Sequence, residues 1–123
     1  MRGFLSCVAL AVLLAGPVAP PAHAAFLTGN ELLEKCLQQA PVYLEMGTCA
    51  GFVGGVADAM SAAQTFGRTM MGWRACVPPG VTAWQARDVV VWFLTYHPEV
   101  RRYAAAVPVA QALAQAFPCP ARY

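Results

Sequence analysis

Charged residues are scarce in this sequence of 123 residues, where eight lysines and arginines and six aspartates and glutamates make up 11% of the total. So few basic residues form no face large enough to bind nucleic acid, and we exclude that class of partner. The length leaves room for only one ordinary domain. The chain also contains no internal repeat, linker or low-complexity tract.

Motifs for binding phosphate or metal are missing as well. The glycine-rich stretch CAGFVGGVADAM at residues 49–60 is not followed by the lysine of a phosphate-binding loop. The cysteines show no C-x-x-C spacing, which argues against a zinc site. We therefore expect neither a metal nor a cofactor.

Residues for nucleophilic catalysis are few. Beyond residue 24 the sequence has one histidine, His97, and one serine, Ser61. A Ser61–His97–Asp58 arrangement is conceivable, but Ser61 lies within a predicted helix and has no sharp glycine turn around it. We therefore predict no catalytic residue and no enzymatic activity.

The N-terminus has the pattern of a secretory signal peptide. Arg2 precedes the apolar run FLSCVALAVLLA, and Ala22-His23-Ala24 forms a small-x-small cleavage site. The apolar run is too short to span a bilayer as a mature helix, so we expect no membrane insertion after cleavage. The prediction is removal of residues 1–24 and a single domain over 25–123, with an uncleaved membrane anchor as the alternative.

Four cysteines remain after this cleavage, and an even number in a short exported chain indicates two disulfides. Sequence alone allows three pairings. We favour Cys36–Cys49, which would join the first two predicted helices, and Cys76–Cys119, which would tie the chain end to the start of the third. Such crosslinks help a small exported domain whose core is modest.

Periodic apolar residues and capping signals predict an all-α bundle of four to five helices. Thr28–Glu31 and Thr82–Gln85 have the pattern of capping boxes, which begin helices. The predicted helices cover about 29–39, 42–64 and 83–96, and a fourth begins at Pro98 and is kinked or split at Pro108.

Small residues form a stripe on the second predicted helix, at Gly47, Gly51, Gly55 and Ala59. We expect this stripe to let a neighbouring backbone approach closely. Asp58 lies beside it, and its carboxylate has two interpretations: a solvated or ion-paired position at the helix edge, or a buried bond to a loop amide or an arginine.

The third predicted helix is preceded by Pro78-Pro79-Gly80, which forbids regular helix. Its centre, VVVWFL, is apolar on all sides, so the helix should be central or lie at a subunit interface. Because one small core cannot readily bury that much apolar surface, we predict a homodimer.

Residues 65–75 lack a clear period and are predicted to form a loop between rigid helices. Tryptophan and arginine are typical interface anchors, and methionine adapts to a partner surface. For Trp73 the alternative is that it folds back onto the core. The candidate partner-binding residues are Arg68, Met70, Met71, Trp73 and Arg74.

Four motifs occur in order along the chain: CAGFVGGVADA (49–59), CVPPGVTAWQ (76–85), YHPEVR (96–101) and FPC (117–119). Together with four cysteines after a signal peptide, they resemble the Tai/Rap family of type VI secretion immunity proteins. Phe52 departs from the pattern, where tyrosine is more usual. The resemblance covers about Leu32 to Cys119. It implies a small periplasmic helical domain, often homodimeric, that binds and blocks a peptidoglycan-cleaving amidase delivered by neighbouring cells.

The sequence also allows two functions other than that of an immunity protein. The first is a periplasmic binding module or stress chaperone with a different partner, which would bind many unfolded clients. The second is a small hydrolase, which would need a free thiol or an active Ser61.

Overall fold

Four α-helices and one short 3-10 turn make up the computed structural model, which describes residues 27–39 and 41–121. No β-strand is formed within these residues, so the all-α prediction is confirmed. The predicted signal peptide at 1–24 lies outside the described residues. The helices are α1 (Gly29–Leu37), α2 (Tyr43–Thr65), α3 (Ala83–Tyr96) and α4 (Ala106–Ala116), with the 3-10 turn at Pro98–Val100.

Both predicted capping boxes are present. The backbone N–H of Glu31 donates to Thr28 Oγ1 at 3.3 Å, and the Thr28 N–H donates back to the Glu31 carboxylate at 2.7 Å. Thr82 and Gln85 repeat this exchange at the start of α3, with distances of 3.2 and 2.8 Å. Each exchange satisfies helix N–H groups that would otherwise lack a partner, which fixes where α1 and α3 begin.

The apolar α3 is the central helix, because it packs against α1, α2 and α4. Val90, Phe93 and Leu94 on its inner side are buried. The core continues into α2 through Val53 and Met60, which are also buried. α3 therefore buries one face in the core and leaves Trp92 and Tyr96 exposed on another.

The predicted fourth helix is broken ahead of α4 and not at Pro108, which corrects the prediction, and Pro98 begins only the 3-10 turn. The Arg101 side chain donates to the carbonyls of Leu94 and Thr95 at 2.5 and 2.7 Å, across the carboxyl end of α3. The Arg101 carbonyl in turn accepts from the Asn30 N–H at 2.9 Å. Residues 101–104 are thereby held between α3 and α1 and cannot continue a helix. Pro108 lies in the first turn of α4, where proline is tolerated.

Both favoured disulfides are present. Cys36–Cys49 joins α1 to α2, with Cα atoms 5.1 Å apart, and Cys76–Cys119 joins the segment before α3 to the segment after α4, at 4.9 Å. A hydrogen bond between Lys35 Nζ and the Glu45 carboxylate, at 2.5 Å, adds a polar link between α1 and α2. It raises the pKa of the Lys35 ammonium above its usual 10.5.

The glycine stripe of α2 faces solvent, which corrects the prediction made for Gly51 and Gly55. A Cβ built at Gly47, Gly51 or Gly55 meets no atom within 4 Å. The reason is that the buried side chains of α2, among them Val53, Val56 and Met60, lie on the opposite side of the helix. No backbone of the described chain therefore approaches the stripe closely.

Pro78 and Gly80 form a tight turn ahead of α3. The Val81 N–H donates to the Pro78 carbonyl at 3.3 Å, and Gly80 has a φ of 90°. Proline at the second position and a left-handed residue at the third are typical of a type II turn, and glycine is the residue that adopts this φ without strain. The turn stops regular helix before Thr82, as the sequence predicts.

Candidate partner-binding surface

A hairpin loop of residues 66–74 contains all five predicted partner-binding residues. It begins where α2 ends, at a glycine cap. Gly67 has a φ of 66°, its N–H donates to the Gln64 carbonyl at 2.9 Å, and the Arg68 N–H donates to the Ala63 carbonyl at 2.8 Å. These two bonds form a Schellman motif, which stops α2 sharply and turns the chain away from the helix axis.

The tip of the hairpin loop is a two-residue turn. Met70 and Trp73 exchange backbone hydrogen bonds at 3.1 and 2.9 Å. The two residues between them, Met71 and Gly72, have φ values of 53° and 82°. Two consecutive left-handed residues are typical of a type I′ turn, a position that favours Asn-Gly. Met71 is the one non-glycine residue with positive φ among the described residues, and this conformation costs about 1–2 kcal/mol for an ordinary side chain.

The base of the hairpin loop is clamped by Gln64 and a disulfide. Gln64 Nε2 donates to the Ala75 carbonyl at 2.6 Å, which joins the end of α2 to the residue that follows the loop. Gln64 Oε1 lies 3.4 Å from the sulfurs of both Cys76 and Cys119. The Cys76 N–H also donates to the Phe117 carbonyl at 2.8 Å. Sequence reasoning missed Gln64, because the link becomes visible only once the disulfide partners are placed.

Exposure divides the predicted residues into two groups. Arg68 and Met71 are exposed, with 47% of Met71 accessible, whereas Met70 and Trp73 are half-buried and pack against the core. Trp73 therefore folds back onto the core, which is the alternative to a partner-binding position that the sequence offers for it. Arg74 is half-buried, and its Nε is buried without a hydrogen-bond partner among the described residues.

An exposed aromatic ring and a lack of acidic residues also characterise the surface of the hairpin loop. Phe66, at the start of the hairpin loop, is 79% exposed. The sequence has no aspartate or glutamate from residue 59 to residue 87, and neither Arg68 nor Arg74 forms an ion pair within the described part of the chain. The exposed part of the hairpin loop is therefore apolar and cationic.

A second exposed surface lies on α3, the helix that the sequence predicts to be central or to lie at a subunit interface. Trp84, Trp92 and Tyr96 are 46%, 61% and 66% exposed. The rings of Trp92 and Tyr96 are in contact, with centroids 5.1 Å apart, and the Arg87 guanidinium lies 5.2 Å from the centre of the Trp84 ring. The spacing of these aromatics by four and eight residues is the signal that could have revealed the face, because such residues share one side of a helix.

Asp58 is exposed and has no hydrogen bond or ion pair among residues 27–39 and 41–121. The buried bond considered for it is therefore absent, and the solvated position is the one found.

The residues considered for catalysis are not brought together, because Asp58 and Ser61 line a cleft that His97 does not line. His97 lies at the end of α3, with Nδ1 2.9 Å from the Phe93 carbonyl. All four cysteines of the described residues are in disulfides, so none supplies a thiolate nucleophile.

Within residues 27–39 and 41–121, no group of three or more His, Cys, Asp and Glu side chains is arranged to hold a metal ion. None of the helices in this part of the chain combines the length and the apolar character that a membrane span requires.

Comparison with known proteins gives one finding. A family model described as Rap1a immunity proteins matches residues 28–119, which is most of the chain and all four helices. No curated protein and no solved structure matches.

Proposed function

The chain belongs to the Rap1a immunity protein family, and we propose that it binds and occludes a peptidoglycan-cleaving amidase delivered by type VI secretion. Membership in the family implies binding to a secreted effector. The proposal adds the amidase as that effector, the periplasm as the compartment and occlusion without catalysis as the mode of inhibition.

The observation that carries the proposal is that hydrogen bonds hold the hairpin loop in a defined conformation. Its two ends are fixed by the Schellman motif and by the Gln64–Ala75 bond, and its tip is closed by the Met70–Trp73 turn. A loop that is ordered before binding loses less conformational entropy when it enters a groove. Such a rigid projection is what a plug for an enzyme's active-site groove requires.

The residue at the tip supports the same interpretation. Asparagine or glycine would adopt the left-handed conformation at position 71 at lower cost, yet the chain has methionine there. Backbone strain concentrates at functional sites, where a side chain is retained for what it contacts. The exposed thioether of Met71 can adapt to the wall of a groove.

The decisive experiment removes the two hairpin arginines and uses thermal unfolding to check that the variant is folded. Arg68→Ala with Arg74→Ala should weaken binding to the cognate amidase at least about tenfold by calorimetry, because the carboxylates of the amidase groove would lose two guanidinium partners. Arg102→Ala is the matched control, since Arg102 is exposed but lies outside the hairpin loop and stacks on Tyr103. Unchanged affinity in the double variant would refute the plug.

An activity assay separates this function from the alternative of a chaperone or another periplasmic binding module. An immunity protein should inhibit peptidoglycan cleavage by the amidase at a one-to-one ratio of binding sites. Binding to several unfolded proteins, without inhibition of the folded amidase, would favour the chaperone instead.

We also propose that the protein is a homodimer through the exposed aromatic face of α3. Contiguous exposed aromatic residues mark interaction surfaces, and Trp92 and Tyr96 are the most exposed of this face. Trp92→Ala with Tyr96→Ala should shift the sedimentation coefficient to that of a monomer. Tyr43→Ala is the control, because Tyr43 is 70% exposed but lies on α2.

A further inference from the structure

A cleft opens beside the hairpin loop, between the second half of α2, the segment at 75–82 and the first turn of α3. Its volume is about 840 Å³, which lies within the range of about 300–1,000 Å³ for ligand sites. The floor is made of small residues, among them Gly54, Ala57 and Ala86, so the cleft is not filled by the protein's own side chains.

The charge on the lining of the cleft is negative only. Asp58 is the one ionisable side chain among the residues that line it, and no lysine, arginine or histidine lines it. Asp58 and Ser61 are three residues apart on α2, so their side chains share one face of the helix. Thr65 and Thr82 are already engaged, with the Ser61 carbonyl and with the α3 cap, whereas the Asp58 carboxylate has no partner among the described residues.

We propose that this cleft binds a basic side chain of the bound effector, with the Asp58 carboxylate as its ion-pair partner and the Ser61 hydroxyl as a second acceptor. A carboxylate and a hydroxyl with no competing cation suit a guanidinium or ammonium group, which donates several charge-assisted hydrogen bonds. This inference rests on the proposed function in one respect, because the proposed function identifies the effector as the protein that carries the basic side chain.

The position of the cleft links it to the hairpin loop. Gln64 and Thr65 come directly before the loop, Ala75 and Cys76 come directly after it, and all four residues line the cleft. A protein seated on the hairpin loop would therefore lie next to the cleft. It would meet cations at Arg68 and Arg74 and an anion at Asp58, and such neighbouring charges of opposite sign fix the register of an interface.

The first test needs no effector and uses a charged probe with a neutral analogue. N-acetyl-arginine amide should shift the backbone NMR signals of Asp58, Ser61 and Thr82, with a dissociation constant on the order of 10 mM, because an exposed ion pair is weak. N-acetyl-citrulline amide, which has the same shape without the charge, should leave them unshifted. Asp58→Asn should abolish the response to the arginine probe. Equal shifts with both probes, or shifts that survive in Asp58→Asn, would overturn the proposal.

The second test uses the complex. Asp58→Asn should raise the Kd for the cognate amidase about ten- to a hundredfold and reduce its dependence on salt, because a charge-assisted bond is lost. Glu99→Gln is the matched control, since Glu99 is exposed and does not line the cleft. Thermal unfolding should be unchanged in both variants, which separates lost recognition from lost folding.

The outcomes distinguish this inference from the proposed function. If the amidase binds in a manner that needs the hairpin arginines but ignores Asp58, the cleft proposal is wrong and the proposed function stands. If no amidase binds at all, the proposed function fails, and the probe titration alone decides whether the cleft binds a cation.

Discussion

The exposed glycines of α2 lead to a prediction about stability that can be worked out from the structure. Gly47, Gly51 and Gly55 lie inside a helix of 23 residues, and a Cβ at each of them meets no atom within 4 Å. Replacing glycine by alanine in a helix interior stabilises it by about 0.5–1 kcal/mol, chiefly because the unfolded chain loses freedom. With no steric penalty to offset this gain, the triple variant should be about 2 kcal/mol more stable than the native protein.

The assay is thermal and urea unfolding at low protein concentration. For a domain of this size, about 2 kcal/mol corresponds to a rise in Tm of roughly 10 °C. Gly29→Ala is the opposing control. Its added Cβ would lie 2.7 Å from the Cα of Arg101 and 2.9 Å from the Arg101 carbonyl oxygen, both of them backbone atoms that cannot move aside cheaply. That variant should lower the Tm, although it too replaces a helical glycine.

One result would refute the reasoning for α2. If the triple alanine variant has an unchanged or lower Tm, the glycine face is covered in solution and is not exposed. In that case the single variants should identify where the covering surface lies, because the loss should be largest at the closest contact.

Three more predictions concern covalent, conformational and electrostatic links. Replacing both cysteines of Cys76–Cys119 by serine should lower the free energy of unfolding in urea by about 4 kcal/mol, and the same change at Cys36–Cys49 by about 3 kcal/mol. The first loss is larger because Cys76–Cys119 closes the longer loop. A reversed order would contradict the loop-closure argument. Met71→Asn should raise stability by about 1 kcal/mol, because asparagine tolerates positive φ, and should weaken amidase binding; a fall in Tm would be inconsistent with the turn. The stability difference between the native protein and Glu45→Gln should be present from neutral pH up to about pH 10.5 and disappear as the pH rises through the raised pKa of Lys35. A difference that persists at higher pH would show that Lys35 is not its source.

Local signals in the sequence were sufficient for much of the fold. The two capping boxes predict the first residues of α1 and α3, because the side chain and the backbone N–H that it binds lie only three residues apart. The predicted disulfides follow from the same helices, since Cys36 and Cys49 flank one short connection. These features depend on neighbours in the sequence, and neighbours in the sequence are what periodicity and capping rules describe.

Features that depend on distant residues could not be predicted in this way. The split between Pro98 and α4 results from Arg101, whose side chain bonds to α3 while its carbonyl bonds to α1. The direction of the glycine stripe depends on which face of α2 the core occupies, and alternative faces both carried small or apolar residues. Gln64 was missed for the same reason, because its partners are at Ala75 and at the disulfide of Cys119.

Three mismatches between local preference and structure lie on the hairpin loop or in the cleft beside it. Met71 occupies a left-handed position that suits asparagine, Arg74 buries a guanidinium nitrogen without a partner, and Asp58 faces a cleft without a counter-ion. Each is unfavourable or unused in the isolated chain, and all three lie on the hairpin loop or in the cleft that its two ends border. Departures from local preference are expected where a sequence is selected for binding. The clustering therefore argues that a partner covers the hairpin loop and the cleft together, and the Asp58 and Met71 variants measure the two halves of that single surface.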